Sequence, residues 1–214
     1  MIAPTVFEPF SVEVRSEALR SLFQSPEVLM PAIGEGLRDP KITGETTVAL
    51  ERLTRTEPGG HREELLNVLA SVQAYNPTAV RALLRQFRSI NSTLLSNFTY
   101  EFNLRLLTNE LTDPEQFISH VSNALVNDQS ERAELLNILR LLSMPAPQGR
   151  RRALVQALGI ASLTHSAVIN MLLFDSSWQT RSGLLSLSME VRLFSFLSRI
   201  ISPRLTSQIF GLDN

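Results

Sequence analysis

The sequence predicts an all-α protein built from about a dozen short helices. Leucine and alanine recur at spacings of three and four residues along most of the chain, which is the period of an amphipathic helix. Proline, glycine and Asp-Pro pairs interrupt this pattern at short intervals, as expected where helices end and begin. The sequence contains neither a run of alternating Val, Ile and Thr residues nor an Asn-Gly or Asp-Gly hairpin signal.

Capping residues and prolines set the helix boundaries in the first half. Ser11 can cap the first helix, and Ser25-Pro26 ends it and begins the next, because proline suits a first helical turn. Asp39-Pro40 marks a turn, Pro58-Gly59-Gly60 a loop, and Asn76-Pro77 another helix start. The predicted helices are residues 11–24, 26–36, 43–55, 61–74, 77–90, 91–97 and 98–109.

The second half carries the same kinds of signal. Thr112-Asp113-Pro114-Glu115 is a strong helix start, because Asp or Thr can cap a first turn led by proline. Ser130 can cap the following helix, and Met144-Pro145-Ala146-Pro147 is a short rigid break. The predicted helices are one that starts near Pro114, then residues 131–143, 148–158, 163–174, 177–201 and 203–210.

Two segments of the chain are nearly the same. His61–Leu69 reads HREELLNVL and Glu131–Leu139 reads ERAELLNIL, 70 residues further on. Weaker matches around them predict a duplicated helical unit of about 70 residues, whose apolar side is buried by stacking. The alternative is that leucine-rich helices resemble one another by accident. A second echo, at a spacing of 177 residues, joins Glu13-Val14-Arg15 to Glu190-Val191-Arg192.

The predicted architecture is an internally duplicated helical repeat or a pair of tandem helical bundles. Asp-Pro turns between short helix pairs resemble those of HEAT-type α-solenoids, and tandem bundles give the same pattern. We divide the chain into capping helices at 1–36, helical units at 37–110 and 111–174, and C-terminal apolar and basic helices at 175–214. One compact domain is the alternative.

An uncharged stretch of 22 residues, 153–174, follows three arginines. Its length suits a membrane span, but its Gln, Asn, His, Ser and Thr side chains are costly in lipid. Gly159 also favours a helix end within the stretch. We therefore predict two buried helices rather than one span.

Composition and motifs narrow the classes of function. The net charge is −1 and cysteine is absent, so neither a general attraction to nucleic acid nor a disulfide or thiolate site is expected. The chain has 19 arginines and a single lysine, Lys41. No phosphate-binding glycine loop, metal-ligand spacing or nucleophile motif occurs, so we expect no enzyme activity, cofactor or metal. The N-terminus predicts a cytoplasmic protein, or one exported without a cleaved signal.

These observations favour a protein–protein interaction scaffold or adaptor. The arginine bias and missing cysteine fit a bacterial secretion or host-interaction setting, and a homo-oligomer is compatible with the sequence. Residues 143–214 carry a net charge of +4, against −5 for residues 1–142. The alternative is therefore a protein that associates with an anionic membrane through this last third. The candidate interaction residues are Arg150, Arg151, Arg152, Arg192, Phe194 and Arg199.

Overall fold

A computed structural model describes residues 8–56, 59–126, 129–174 and 184–200, with side chains at 12–56, 59–126, 129–173 and 187–200. Every regular element within these ranges is helical, which confirms the predicted all-α class. A 3-10 turn at Leu22–Gln24 follows the first helix. The helices are Glu8–Ser21 (α1), Pro26–Arg38 (α2), Thr43–Leu53 (α3), Arg62–Tyr75 (α4), Pro77–Ser89 (α5), Thr93–Glu110 (α6), Pro114–Val126 (α7), Gln129–Leu142 (α8), Arg151–Ala161 (α9), Ser166–Phe174 (α10) and Leu184–Ile200 (α11).

The helices that begin with proline start where the sequence signals predict. The Asn76 side chain accepts a hydrogen bond from the backbone N–H of Ala79 at 3.2 Å, and Asp113 accepts one from Gln116 at 3.2 Å. Each bond satisfies a backbone N–H that the first helical turn leaves unpaired. The uncharged stretch forms two helices, α9 and α10, as predicted. The helix predicted at 203–210 lies outside the described residues.

Three predicted boundaries are wrong. Ser11 and Ser130, which are predicted to cap helices, lie inside α1 and α8, because these helices begin at Glu8 and Gln129. The third wrong boundary lies within α6. The sequence predicts separate helices at 91–97 and 98–109, but α6 is continuous over 18 residues from Thr93 to Glu110. Asn97, at the predicted boundary, is a weak helix former. Burial of Leu95, Phe98 and Phe102 outweighs that preference, since the three lie at helical spacing and are at most 3% exposed.

Residue contacts divide the chain into unit 1, Met1–Phe102, and unit 2, Asn103–Asn214. In unit 1, α1 packs on α3, α2 packs on α3 and α5, and α4 packs on α5. In unit 2, α7 packs on α8 and α9, and α11 packs on α9. The predicted division into four segments is finer and stays a prediction. Leu65, Leu66 and Leu69 are fully or almost fully buried in unit 1. Leu135 and Leu139 are buried in unit 2.

Candidate interaction surface on α11

Two arginines make the same set of contacts in the two units. Arg62 begins α4, and its Nη1 donates to the carbonyl of Thr54 at 2.7 Å while its Nε donates to Glu101 Oε2 at 2.6 Å. Arg151 begins α9 and donates in the same way to the carbonyl of Ser143 at 3.1 Å and to Glu190 Oε2 at 3.2 Å. Each arginine therefore joins the end of the preceding helix to a carboxylate 39 residues ahead.

The loops before these arginines also match. The N–H of His61 donates to Leu53 O at 2.9 Å, and the N–H of Arg150 donates to Leu142 O at 2.9 Å. A Cβ added to Gly60 would lie 1.9 Å from Arg55 O, and one added to Gly149 would lie 2.1 Å from Met144 O. Both glycines are therefore required by close approach of backbone to backbone.

These correspondences are 89 residues apart, not the 70 predicted from sequence. They match α4 with α9 and α3 with α8. The similarity between His61–Leu69 and Glu131–Leu139 instead aligns α4 with α8. Both segments share a leucine ridge because both helices bury one face. Asn67 and Asn137, which strengthen that resemblance, are both exposed.

Helix α11 buries one face and exposes the other. Leu187, Val191 and Phe194 are at most 1% exposed, on the side that packs against α9. Four other side chains on α11 are half to two-thirds exposed and all apolar. We call them the α11 row: Met189, Leu193, Phe196 and Ile200.

The α11 row has the spacing of a helix-docking surface. Its members are separated by four, three and four residues, so they form one stripe along the helix. This is the spacing of the a and d positions in a coiled coil. Most single exposed apolar residues need no explanation, but a contiguous apolar stripe is a candidate interaction site.

A groove lies beside the row, between α10 and α11. Its volume is about 210 Å³, and Ile169, Leu173 and Val191 provide apolar lining. Phe196 belongs both to the row and to this lining. Arg192 and Arg199 are exposed arginines that line the groove, and no acid is among its described lining residues. The surface is therefore apolar with positive charge.

The structure separates the six residues predicted from sequence. Arg192 and Arg199 line the α10–α11 groove, whereas Arg150 and Arg152 are exposed at the start of α9. Arg151 is partly buried and holds the Glu190 contact described above. Phe194 is fully buried against Gly159, where an added Cβ would lie 2.4 Å from the ring.

Phe194 is thus a core side chain, and its prediction as an interaction residue is wrong. Phe196, two residues further on, is the exposed aromatic residue, with 59% of its area accessible. Met189 was missed as well. The signal available in the sequence was the four-three-four spacing, but Leu187, Val191 and Phe194 offer an equally apolar alternative face.

The histidine–carboxylate contacts have the character of surface or structural pairs. His165 Nε2 lies 2.9 Å from Glu115 Oε2, and the Thr164 hydroxyl donates to Glu115 Oε1 at 3.2 Å. The hydrogen bond to His165, followed by that from Thr164, lowers the pKa of Glu115. Both members of the His165–Glu115 pair are widely exposed, so solvent weakens the interaction. His120 Nδ1 lies 3.1 Å from Glu110 Oε2 in a less exposed pair.

Unit 1 has a larger groove of about 350 Å³ between α2, α4 and α5. Glu27, Tyr75 and Asn76 are among the residues that line it. Glu27 lies 88 residues before Glu115, and Asn76 lies 89 residues before His165. The His165–Glu115 contact of unit 2 therefore corresponds to an open groove in unit 1.

Two further properties bear on function. Within the described part of the chain, no group of three His, Asp or Glu side chains is placed to hold a metal ion. Of the helices described, none combines the length and apolarity needed to cross a membrane. No known protein family, curated protein or solved structure matches this chain.

Proposed function

We propose that this protein is a non-enzymatic binding protein that captures another protein on the α11 row. The observation that carries the proposal is the stripe of four exposed apolar side chains on one side of α11. Each is 51–67% exposed, so covering the stripe would remove apolar area from water. An amphipathic helix is the element that fits such a stripe, because its own apolar side chains repeat at the same spacing.

The test is a pull-down from native cell extract with two matched variants. Leu193→Asp places a charge in the middle of the row, and Val14→Asp places the same charge on the exposed side of α1. We expect a stoichiometric partner with the wild type and with Val14→Asp, and at least about a tenfold loss with Leu193→Asp. Circular dichroism checks that both variants are folded. Equal recovery of the partner by all three proteins would place the binding surface elsewhere.

A second candidate function is association with an anionic membrane surface. Arg192 and Arg199 beside an apolar stripe support it, because amphipathic helices bind anionic lipid through such a combination. Flotation with phosphatidylserine vesicles tests this candidate in the absence of any protein partner. Binding by the wild type that is lost both in Leu193→Asp and in high salt would favour the membrane.

A further inference from the structure

We propose that the groove of unit 1 between α2, α4 and α5 binds a small organic cation, whose protonated nitrogen donates to Glu27 and whose apolar part lies along the groove. The ligand takes the place that the His165 side chain takes beside Glu115 in unit 2. This is a second site, within unit 1, and it does not depend on the α11 row. The inference rests on a correspondence that fills this place in one unit and leaves it open in the other.

Helix starts and buried positions establish which residues correspond. Helices α2 and α7 both begin with Pro-Glu and both have 13 residues. The side chains that α2 and α5 bury match those of α7 and α10 at spacings of 88 and 89 residues: Leu29 with Phe117, Ile33 with Val121, Val80 with Ile169, Leu83 with Leu172 and Leu84 with Leu173. Glu27 therefore corresponds to Glu115, and Asn76 to His165.

In unit 2 the chain itself supplies the donors to the glutamate. His165 Nε2 lies 2.9 Å from Glu115 Oε2, and the Thr164 hydroxyl donates to Glu115 Oε1 at 3.2 Å. Because an ionised carboxylate only accepts hydrogen bonds, Nε2 is the donor. The hydrogen bond to His165, followed by that from Thr164, lowers the pKa of Glu115. An N–H donor beside the glutamate is therefore the chemistry that this position accommodates.

In unit 1 no side chain of the described residues plays this part. Asn76 stands in place of His165, and its side-chain oxygen accepts from the N–H of Ala79. Tyr75 stands in place of Thr164 and is 63% exposed. Within the part of the chain that the structure describes, the Glu27 side chain forms neither a hydrogen bond nor an ion pair. Its carboxylate is therefore open to a donor from outside the chain.

Small side chains keep the position open. Ala79 and Ala82 of α5 stand where α10 carries Val168 and Met171. Gly34 of α2 lines the same groove, and a Cβ added to it would come no closer than 4.0 Å to another side chain, so packing does not require this glycine. The groove that results has a volume of about 350 Å³, which lies in the range of small-molecule sites.

The lining sets the charge and polarity of the ligand. Met30 and Leu83 contribute apolar surface, and the described lining has two acids, Glu27 and Glu35, against one base, Arg38. Arg38 lies eleven residues after Glu27, roughly 16 Å further along α2, so the end of the groove at Glu27 stays negative. A cationic head at Glu27 with an apolar body on Met30 and Leu83 satisfies both properties, whereas an anion is repelled there.

Benzamidine is a suitable probe, because its planar amidinium offers paired N–H donors to a carboxylate and its phenyl ring is apolar. The experiment titrates it into the full, nitrogen-15-labelled chain and follows the backbone amides by NMR. We expect saturable shifts in α2 and α5 with a Kd on the order of 1 mM, which is reasonable for a ligand of this size. Benzamide, the neutral isostere, should bind about fivefold more weakly, because Glu27 is exposed and its charge contact is modest.

Matched variants assign the site to Glu27. Glu27→Gln should weaken benzamidine about fivefold, to the level of benzamide. Glu115→Gln is the same change in unit 2 and should leave the Kd unaltered, because His165 already occupies that position. Asn76→His gives α5 the residue that α10 carries, so its imidazole should take the place beside Glu27 and weaken benzamidine. Asn76→Ala removes the same cap without supplying a ring and should bind as the wild type does. The amide spectra check that every variant is folded.

Three results would overturn the proposal. Equal affinity for benzamidine and benzamide, or an unchanged Kd in Glu27→Gln, would show that the groove binds apolar rings without the carboxylate. Unshifted α2 and α5 amides at about 20 mM benzamidine, well above the expected Kd, would show that no such site exists. If a blocked Ala-Arg-Ala peptide shifts the same amides at a lower Kd than benzamidine, the occupant is a protein side chain rather than a small molecule.

Discussion

Arg62 in unit 1 and Arg151 in unit 2 hold the same contacts at different degrees of burial. The Arg62 side chain is 11% exposed and also lies over the Phe98 ring, with Cζ 5.4 Å from the ring centroid. The Arg151 side chain is 21% exposed, and its partner Glu190 is 38% exposed. A backbone carbonyl and a carboxylate hold the arginine in both units. This shared set of contacts, the framework, therefore tolerates different packing around it.

The surfaces built on this framework differ more than the framework does. In unit 1, Glu27 and Asn76 line an open groove. In unit 2, the corresponding residues Glu115 and His165 lie 2.9 Å apart. The α11 row is an exposed apolar stripe. Of the residues 177 positions earlier, Ser16, Leu19 and Phe23 are buried and Val12 is partly exposed. The contacts of Arg62 and Arg151 therefore recur in the two units, whereas the exposed surfaces around them differ.

The largest expected effect comes from the two required glycines. Gly60→Ala and Gly149→Ala each force a Cβ against a backbone carbonyl, so we expect a loss of about 3 kcal/mol in the free energy of unfolding. Gly44→Ala is the control, since nothing lies within 4 Å of its added Cβ. In helix α3 it should stabilise the protein by about 0.5 kcal/mol. Urea denaturation measures all three.

Clearly unequal losses in the free energy of unfolding of the two glycine variants would contradict the equivalence of the two loops. If Gly149→Ala unfolded at the wild-type urea concentration while Gly60→Ala did not, the two loops would not be equivalent in energy. The matched geometry would then be a coincidence of backbone shape.

A smaller effect is expected from removing the arginines. Arg62→Ala removes one hydrogen-bond donor from Glu101 and one from the Thr54 carbonyl in a partly buried site, and we expect a loss of about 2–3 kcal/mol. Arg151→Ala should cost about 1 kcal/mol, because its more exposed partners regain water. Urea midpoints compare the two variants. Equal losses would show that burial does not set the strength of this contact.

The smallest effect concerns the His165–Glu115 pair. Because the pKa of Glu115 is lowered in the folded protein, the contact stabilises unit 2 above the ordinary carboxyl pKa. This contribution is lost as pH falls through the lowered value. We expect His165→Ala to raise the pKa of Glu115 toward its ordinary value, and Thr164→Val to raise it less. Carbon-13 NMR titration of the Glu115 carboxyl group measures both; an unchanged pKa in His165→Ala would assign the shift to another neighbour.

Local sequence determined the helices and most of their boundaries. The three- and four-residue spacing of leucine and alanine defines one buried face per helix, and Asn76-Pro77 and Asp113-Pro114 begin helices for local steric and hydrogen-bonding reasons. Such signals act within a few residues, so they are legible without knowledge of the fold. The continuous α6 helix was missed because burial of Phe98 and Phe102 outweighs local propensity.

Only the tertiary structure decided which helices correspond and which face of α11 is open. The 70-residue resemblance lies in the side chains of two leucine-rich segments. The matched contacts instead involve positions such as Thr54 and Ser143, whose backbone carbonyls act whatever side chain is present. On α11, Phe194 and Phe196 are equally hydrophobic, and packing against α9 buries the first and leaves the second exposed. Burial depends on the neighbouring helix, which a helix's own periodicity does not specify when both of its faces are apolar.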